Sequence, residues 1–327
     1  MVLLLSKPEV ESLLTASEAL GAVEEAFRAH ALGQVLMPSR AAFPLAQGKG
    51  WTGIMPAYME NLQALTVKLV TSFPENPKSG YPTVNALLIY SDPSTGLPLA
   101  VMEAGFLTSL RTGAAGGVAV KYLARRDAGV LGLLGAGEQA WRQLESVRLV
   151  RNLKKVKVYS PNPQHRRRFA QQAAESFGVE VKAVDTAEEA AVNSDIVVLA
   201  TTSKVPVLRG DWVEEGAHLN AFGAHTPETR ELDGETVVKA KIVVDSKEAC
   251  LREAGDLLIP LAQGLIRQTD IHAELGEVVA GLKEGRSSDR EVTLFKSVGL
   301  AFQDAAVAKV VYEKALKLGV GKEWEIL

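Results

Sequence analysis

The second half of the chain alternates between short apolar runs and stretches with helical spacing. The apolar runs have the length of strands and lie at residues 130–134, 156–160, 179–184, 194–202, 217–224 and 241–245. Helical spacing is found at residues 164–177 and 248–256. Strands that alternate with helices are typical of a parallel sheet covered by helices. We therefore predict an α/β fold with a Rossmann-type, doubly wound parallel sheet over residues 125–299.

The first part of the chain has a different pattern. Turn-forming residues separate strand-like runs at residues 2–5, 51–58, 64–70, 83–90 and 97–103, which predicts mostly antiparallel pairing. Ser6 with Glu9 and Thr15 with Glu18 have the spacing of capping boxes, and an amphipathic helix follows the second of them. The last helix, at about residues 300–318, returns to this part. We predict a second, α+β domain built from both chain ends, residues 1–124 and about 300–327.

Lys68 lies within the strongly apolar strand at residues 64–70. Alternation puts Leu65, Val67 and Leu69 on one face of this strand, and Thr66, Lys68 and Val70 on the other. Burial would lower the pKa of Lys68 and make it a proton donor near neutral pH. Strand lysines are more often exposed, and the pattern leaves both interpretations open.

Two arginines are candidates for binding an anion. We predict a long helix at residues 108–125 that has Arg111 in its first turn, where a cation opposes the helix dipole. A substrate carboxylate or a cofactor phosphate would remove that conflict. Arg40 lies in a short non-helical link, where most arginines are solvated, so by itself its position favours no function.

A glycine-rich turn follows the apolar run that ends at Leu134. Gly135, Gly137 and Ala140 form the G-x-G-x-x-A version of the dinucleotide fingerprint. Gly135 allows a tight turn, Gly137 lets a pyrophosphate approach the backbone, and the helix N-terminus favours phosphate. Such glycines also occur in ordinary turns, but the strand and helix pattern that follows favours a dinucleotide site.

The end of the second strand of this unit bears on cofactor choice. An acidic residue usually holds the adenosine ribose there, but residues 159–166 contain no carboxylate. Ser160, Asn162, His165 and Arg166 suit a 2′-phosphate instead, so NADPH is favoured over NADH. The alternative is that the basic residues only begin a solvated helix. Thr201 and Thr202 end the fourth strand at the sheet edge where the cofactor is expected.

Composition excludes several other classes of function. The 36 Lys and Arg residues and 39 Asp and Glu residues give a net charge of −3, so we expect no nucleic-acid or anionic membrane partner. The single cysteine, Cys250, excludes an internal disulfide and a cysteine-cluster metal site. The opening apolar run is too short for a signal peptide and no later run approaches the length of a membrane span, so we expect a cytoplasmic protein. We also expect no bound metal.

Several separated motifs, in order along nearly the whole chain, resemble the ornithine cyclodeaminase and mu-crystallin family, which includes archaeal-type alanine dehydrogenases and ketimine reductases. They are residues 55–58 (MPAY), 68–74 (KLVTSFP), 80–83 (GYPT), 110–115 (LRTGAA), 135–139 (GAGEQ), 220–227 (NAFGAHTP), 230–232 (REL), 271–277 (IHAELGE) and 295–299 (FKSVG). The resemblance implies a Rossmann domain beside a domain that binds substrate and forms a homodimer.

The resemblance also implies roles for individual residues. Arg40 and Lys68 match positions that hold the substrate's carboxylate and reacting nitrogen, and Lys68 matches the proton donor. Arg111 matches an arginine between the substrate carboxylate and the nicotinamide cofactor. Further cofactor contacts are implied for Thr83, Gly135, Ala136, Gly137, Gln139, Thr201, Phe222 and Ser297.

His225 departs from the cyclodeaminase pattern, which has an aspartate at the matching place. A reductase of a preformed cyclic imine needs no such base, so the resemblance implies reduction of Δ1-pyrroline-2-carboxylate or its six-membered homologue to L-proline or L-pipecolate. Alanine dehydrogenase is the alternative, with His225 activating water. Ornithine cyclodeaminase is less favoured, and a mu-crystallin-like binding protein without activity is the rival from another class.

Overall fold

The computed structural model describes residues 1–45 and 49–325. It divides into two compact units. The terminal unit comprises Met1–Arg111 and Leu300–Leu327, and the central unit comprises Thr112–Gly299. The first division therefore falls inside a helix, whereas the sequence suggested residue 124, at the end of that helix. A helix that runs through a division gives no break in composition there.

The secondary structure follows the chain in this order. Residues 1–123 form β1 (Val2–Leu5), α1 (Lys7–Leu13), α2 (Ala16–Ala31), β2 (Val35–Leu36), β3 (Ala41–Leu45), β4 (Gly50–Met59), β5 (Ala64–Ser72), β6 (Val84–Ser91), β7 (Pro98–Glu103) and α3 (Gly105–Leu123). The chain continues with β8 (Val130–Leu134), α4 (Glu138–Val150), β9 (Lys155–Tyr159), α5 (Pro163–Phe177), β10 (Glu180–Ala183), α6 (Ala187–Ala191), β11 (Ile196–Leu199) and β12 (His218–Ala221). It ends with α7 (Gly234–Lys239), β13 (Lys241–Val244), α8 (Lys247–Glu253), α9 (Gly255–Ala262), β14 (Ile271–Glu274), α10 (Leu275–Val279), β15 (Thr293–Lys296), α11 (Ala301–Leu318) and β16 (Lys322–Trp324). Short 3-10 turns occupy Asn76–Ser79, Gly210–Trp212 and Gln268–Asp270.

The terminal unit is built on a mixed sheet. Its order is β16-β1-β7-β6-β5-β4-β2, with β3 also paired to β4, and only the β1–β7 pairing is parallel within the described ranges. Both predicted capping boxes are present at the starts of α1 and α2. The last long helix, α11, packs on α2 and across β4, β5 and β6. Both chain ends therefore contribute to one core, since β1 and β16 share the sheet.

Strand β5 buries the face that carries its polar side chains. Thr66 and Lys68 are each 1% exposed, whereas Val67 and Leu69 on the opposite face are 38% and 49% exposed. Helix α11 covers the buried face. The structure thus decides between the two interpretations of Lys68, whose side chain lies in the interior of the terminal unit.

The central unit contains the predicted parallel sheet. Its order is β10-β9-β8-β11-β12-β15-β13-β14, and each adjacent pair in that order is parallel. The chain runs outward from β8 through β9 to β10 and then returns to β11 beside β8, so the strand order reverses between β8 and β11. Such a reversal is where open α/β sheets bind ligands. Strands β14 and β15 lie outside the strand-like runs that the sequence predicts for this unit.

Helix α3 begins earlier than the sequence predicted. It starts at Gly105, so Arg111 lies in its second turn, and the prediction that Arg111 opposes the dipole in the first turn was wrong. The carboxylate of Glu103 accepts hydrogen bonds from the backbone N–H groups of Gly105 and Phe106, at 2.6 and 3.2 Å. An acidic residue therefore caps this helix. No helix among residues 1–45 and 49–325 is long and apolar enough to cross a membrane.

Candidate active site

A buried cluster of charged side chains lies in the terminal unit. Lys68 Nζ is 2.6 Å from Asp304 Oδ2, and Arg111 Nε is 2.9 Å from Asp304 Oδ1. Lys68 also donates to Thr108 Oγ1 at 3.2 Å, and Arg111 Nη1 donates to Gln303 Oε1 at 2.8 Å. Lys68 and Asp304 are each about 1% exposed, so solvent does not screen this interaction.

Three elements bring these side chains together. Lys68 comes from the buried face of β5, where its strand neighbours are Met55 on β4 and Leu88 on β6. Thr108 and Arg111 are three residues apart on α3 and therefore share one helix face. Gln303 and Asp304 lie in the first turn of α11, which covers β5. The cluster thus depends on both ends of the chain.

The surroundings of Lys68 change its ionisation. Burial lowers its pKa to about 7, the negative charge of Asp304 opposes this change, and the positive charges of Arg111 and Arg40 add to it. A lysine with a pKa near neutrality exchanges a proton readily at physiological pH. Two arginines and a lysine against one carboxylate give the cluster a positive charge, which suits an anionic ligand.

Arg40 and Thr83 complete the predicted residues of this unit. Arg40 lies between β2 and β3, is partly buried, and has its Cζ 5.9 Å from the ring centroid of Trp51. Its effect on the pKa of Lys68 puts it within electrostatic reach of the cluster. Thr83 is partly buried just before β6, and its carbonyl accepts from the backbone N–H of Phe73 at 2.8 Å.

The glycine-rich turn of the central unit has the geometry that a dinucleotide requires. Gly135 has φ +119°, and a Cβ there would lie 2.4 Å from the carbonyl oxygen of Ala200. Gly137 is the N-cap of α4, and a Cβ on it would meet no atom within 4 Å. Space is therefore open beside the helix N-terminus. A cavity of about 650 Å³, lined by Ala136, Gly137, Trp141 and other residues of α4 and α5, lies there. These residues fit a bound pyrophosphate and nucleoside.

The end of β9 uses its basic residues differently from the sequence prediction. Arg166 is buried, donates to the carbonyl oxygen of Ser160 at 2.9 Å, and pairs with the carboxylate of Asp185. The side chain of Asn162 caps α5, because its Oδ1 accepts from the backbone N–H groups of Gln164 and His165. Arg166 and Asn162 therefore fix the local backbone, whereas His165 and Arg168 line the cavity.

A buried carboxylate connects the loops that follow β11 and β12. Glu231 Oε1 accepts from both the backbone N–H and the hydroxyl of Thr201, at 2.8 and 2.7 Å, and its Oε2 accepts from Gly223 N at 2.6 Å. Burial and the negative charge of Asp256 raise the pKa of Glu231, while Lys296 opposes the rise. Lys296 Nζ lies 2.8 Å from Asp256 Oδ2, and both are fully buried. This network holds two loops at one edge of the parallel sheet.

The remaining predicted residues lie along the same edge, where the parallel strands end. Ser297 is buried, and its hydroxyl donates to Asp245 Oδ2 at 2.7 Å. Phe222 packs edge-on against Phe295, with ring centroids 5.8 Å apart. Thr202 is exposed after β11, and Gln139 is partly buried in the first turn of α4.

His225 follows β12 on the loop that Glu231 holds. Its Nδ1 lies 3.1 Å from the carbonyl oxygen of Gly223. Since a carbonyl oxygen only accepts, this contact favours the tautomer with a proton on Nδ1, and Nε2 is then the ring's acceptor. That tautomer suits a histidine acting as a base.

Sequence reasoning missed the carboxylates that organise both clusters, Asp304 in the terminal unit and Glu231 with Asp256 in the central unit. One signal was present for Asp304. Residues 301–308 read AFQDAAVA, so Gln303 and Asp304 are polar within an otherwise apolar helix start. A charged residue in such a stretch indicates either that the stretch is not buried or that the charge has a buried partner.

Comparison with known proteins gives consistent relatives over nearly the whole chain. The model of the ornithine cyclodeaminase/mu-crystallin family matches residues 1–319. An alanine dehydrogenase of Archaeoglobus fulgidus is 48% identical over 98% of this chain and 97% of its own. The structure of Thermococcus litoralis Δ1-pyrroline-2-carboxylate reductase in complex with NADH and L-proline has a TM-score of 0.97 and 48% identity, covering 99% of this chain and all of that one. An archaeal alanine dehydrogenase dimer with bound NAD has a TM-score of 0.95 and 46% identity, covering 100% of this chain and 99% of that one.

Proposed function

We propose a function from one premise: the chain belongs to the ornithine cyclodeaminase/mu-crystallin family. It is an oxidoreductase that uses a nicotinamide dinucleotide to act on the carbon–nitrogen bond of an amino or imino acid. Its reaction is the reduction of Δ1-pyrroline-2-carboxylate or Δ1-piperideine-2-carboxylate to L-proline or L-pipecolate. The reductase of Thermococcus litoralis, with its NADH and L-proline, supports this choice.

The observation that carries the proposal is the buried Lys68, with its pKa of about 7 and its ion pair to Asp304. Reducing a C=N bond requires one hydride on carbon and one proton on nitrogen. A protonated imine is a much better hydride acceptor, so a lysine that donates its proton to the nitrogen activates the substrate directly. The neutral lysine regains a proton from solvent after each turnover.

Two arginines bind the carboxylate of the substrate in this proposal. Arg111 donates from Nε to Asp304 and from one N–H of Nη1 to Gln303, and its Nη2 has no acceptor among the described residues. It is therefore available to donate to a carboxylate oxygen. Arg40 supplies the second positive charge. Two such contacts fix the orientation of a small planar substrate, which lowers the entropic part of the barrier.

The cofactor is held by the turn of Gly135, Ala136 and Gly137, with Thr201 and Ser297 along the same sheet edge. When bound, a nicotinamide cofactor supplies the hydride. We propose NADPH as the preferred form, because no carboxylate follows β9 and because His165 and Arg168 line the cavity beside the turn. The relatives described above carry NADH or NAD, so both forms belong in the test.

Alanine dehydrogenase is the second candidate, favoured by the 48% identical relative of that name. Oxidation of L-alanine to pyruvate and ammonia transfers a hydride from the α-carbon and then adds water to the resulting imine. His225 would accept a proton from that water through Nε2. Lys68 would act in its neutral form, because it must take a proton from the substrate nitrogen. The substrate panel described below also distinguishes ornithine cyclodeamination and ligand binding without turnover.

A second copy of the chain is the proposed partner. The outer face of the terminal sheet exposes large apolar side chains on adjacent strands, including Ile54, Leu69, Leu87 and Ile89. Contiguous apolar surface of this kind marks an interaction site. The archaeal alanine dehydrogenase described as a dimer supports a homodimer here. Leu69→Lys should halve the mass measured by sedimentation, whereas the same change at exposed Leu318 should not.

We also propose a cytoplasmic location, because the chain contains a single cysteine.

One substrate panel tests the function. Oxidation of NADH and NADPH is followed with Δ1-pyrroline-2-carboxylate, with its six-membered homologue, and with pyruvate plus ammonia, and reduction of NAD and NADP with L-ornithine. The proposal expects the cyclic imines to have the highest kcat/KM. Lys68→Met should abolish turnover and leave cofactor affinity unchanged, while Lys78→Met, an exposed control, should behave as the parent. Fastest turnover with pyruvate and ammonia would establish the alternative, and tight cofactor binding without turnover would favour a binding protein.

A further inference from the structure

We propose that Asp304, in the first turn of α11, is the positioning residue that aims the proton donor Lys68 and the anion-binding edge of Arg111 at the substrate. The inference rests on the proposed function, because it assigns Lys68 and Arg111 their roles. It concerns a residue that touches neither the reacting atoms nor the cofactor in this scheme and acts through its two cationic neighbours.

The geometry assigns each oxygen of Asp304 to a different cation. Oδ2 lies 2.6 Å from Lys68 Nζ, and Oδ1 lies 2.9 Å from Arg111 Nε. A carboxylate is rigid and planar, so one side chain fixes the separation of the ammonium and guanidinium groups. Without it, a four-carbon lysine stem would have several rotamers open to it.

The hydrogen bonds also fix which donors remain for a ligand. Lys68 has three N–H bonds, and Asp304 and Thr108 accept two of them. Its third N–H has no acceptor in residues 1–45 and 49–325. Asp304 and Gln303 likewise take Nε and Nη1 of Arg111 and leave Nη2. The spare donors are what an imino acid needs, since its nitrogen and its carboxylate are close together.

The charge of Asp304 matters as much as its shape. The charged groups that act on Lys68 are Asp304 from α11, Arg111 from α3 and Arg40 from the link before β3. Its neighbours on the flanking strands, Met55 and Leu88, are apolar. Asp304 is therefore the negative charge that opposes burial and two cations. Without that charge Lys68 would be mostly neutral at neutral pH and would have no proton to donate.

The test compares Asp304→Asn with Asp304→Glu. The first variant keeps the shape and removes the charge, whereas the second keeps the charge and displaces it. Glu313→Gln is the matched control, because it removes an exposed carboxylate from the same helix, where Glu313 pairs with Lys309. The direct measurement is the pKa of Lys68 in the ligand-free protein, from NMR of 13C-labelled lysine, with the Lys68 signal identified by its loss in Lys68→Met.

Asp304→Asn should move the pKa of Lys68 downward by about one unit or more, and Glu313→Gln should leave it unchanged. In the reductase assay the pH above which kcat/KM falls should move down by the same amount, so that activity near neutral pH drops about tenfold and partly recovers in acid. Asp304→Glu should keep the parental pH profile and lower kcat. Cofactor affinity should be the same in all variants.

Two results would overturn the inference: a Lys68 pKa unchanged in Asp304→Asn, or an Asp304→Glu variant with parental kcat. If Asp304→Asn does not fold, Asp304→Glu with its pH profile still decides the matter. If the parent reduces no imine but the Lys68 pKa moves as expected, the proposed function fails while the control of Lys68 by Asp304 stands.

Discussion

The pH dependence of turnover should have opposite signs in the two directions of the reaction. Imine reduction needs the charged form of Lys68, and burial, with Arg111 and Arg40 nearby, lowers its pKa to about 7 against the pull of Asp304. Each pH unit above the pKa removes about nine-tenths of the remaining charged form. At about pH 9, two units higher, kcat/KM for reduction should be about a hundredth of its value in mild acid. Oxidation of L-proline needs the neutral lysine, so its kcat/KM should rise from mild acid to about pH 8 and then level off.

The appropriate measurement is kcat/KM against pH in both directions, followed by cofactor absorbance. This ratio reports the pKa values of the free enzyme, and the pKa of about 7 belongs to Lys68 in the protein without ligand. The substrate imine also ionises, so its own titration is measured separately by NMR and removed from the profile. The exposed-lysine variant Lys78→Met should give the parental curve.

A lysine with the ordinary pKa of about 10.4 would give a reduction rate that is flat to beyond about pH 9. A flat profile would therefore refute the role of burial in tuning Lys68. A sloping profile that persists unchanged in Lys68→Met would refute its role as the proton donor.

Three further predictions concern the central unit. Gly137→Ala should be as stable as the parent, since its Cβ meets no atom within 4 Å, but it should bind cofactor more weakly in a fluorescence titration. Gly135 has φ +119°, and a Cβ there would lie 2.4 Å from a carbonyl oxygen. Gly135→Ala should therefore lower the free energy of unfolding in denaturant by about 2 kcal/mol or more. Lys296→Met leaves Asp256 buried without its partner and should cost about 3–5 kcal/mol, measured by the same unfolding. Burial lowers the pKa of His218 to about 3, so the unfolded chain binds a proton that the folded protein does not, and stability falls as the pH drops from about 6.5 towards 3. Between about pH 7 and 5 the free energy of unfolding of the parent should fall by about 2 kcal/mol more than that of His218→Gln.

Much of the parallel sheet is predictable from sequence because its early strands are apolar runs, and β8, β9 and β10 are each followed by a helix. Strands β8, β9 and β11 lie within the predicted runs to within a few residues. Strands β14 and β15 escape this reasoning, since β14 is followed only by the five-residue helix α10, and the long helix after β15, α11, belongs to the terminal unit. Their place in the sheet is set by pairing with β13 and β12, which a local pattern does not encode.

The candidate site divides in the same way. Gly135 and Gly137 are predictable because their task is local: a turn and an open helix N-terminus. The partner of Lys68 is not, because Asp304 lies 236 residues further along the chain. Nor is the partner of Arg166 predictable, because this side chain pairs with Asp185 and does not line the cavity. A side chain's direction depends on the residues packed around it, and one sequence does not reveal them.

Strand β5 links the proposed chemistry of Lys68 to the proposed homodimer. The face of β5 that carries Lys68 is buried, whereas Leu69 on the opposite, apolar face is 49% exposed. A strand on the surface of a monomer would normally have the opposite arrangement. A slip of one residue would restore the ordinary arrangement, so burial of Lys68 must be held by the ion pair to Asp304 and by the covering helix. The exposed apolar face then needs a covering of its own, which is the place of the second copy in the proposed homodimer. The pattern that obscures Lys68 in the sequence is therefore the same one that predicts a dimer.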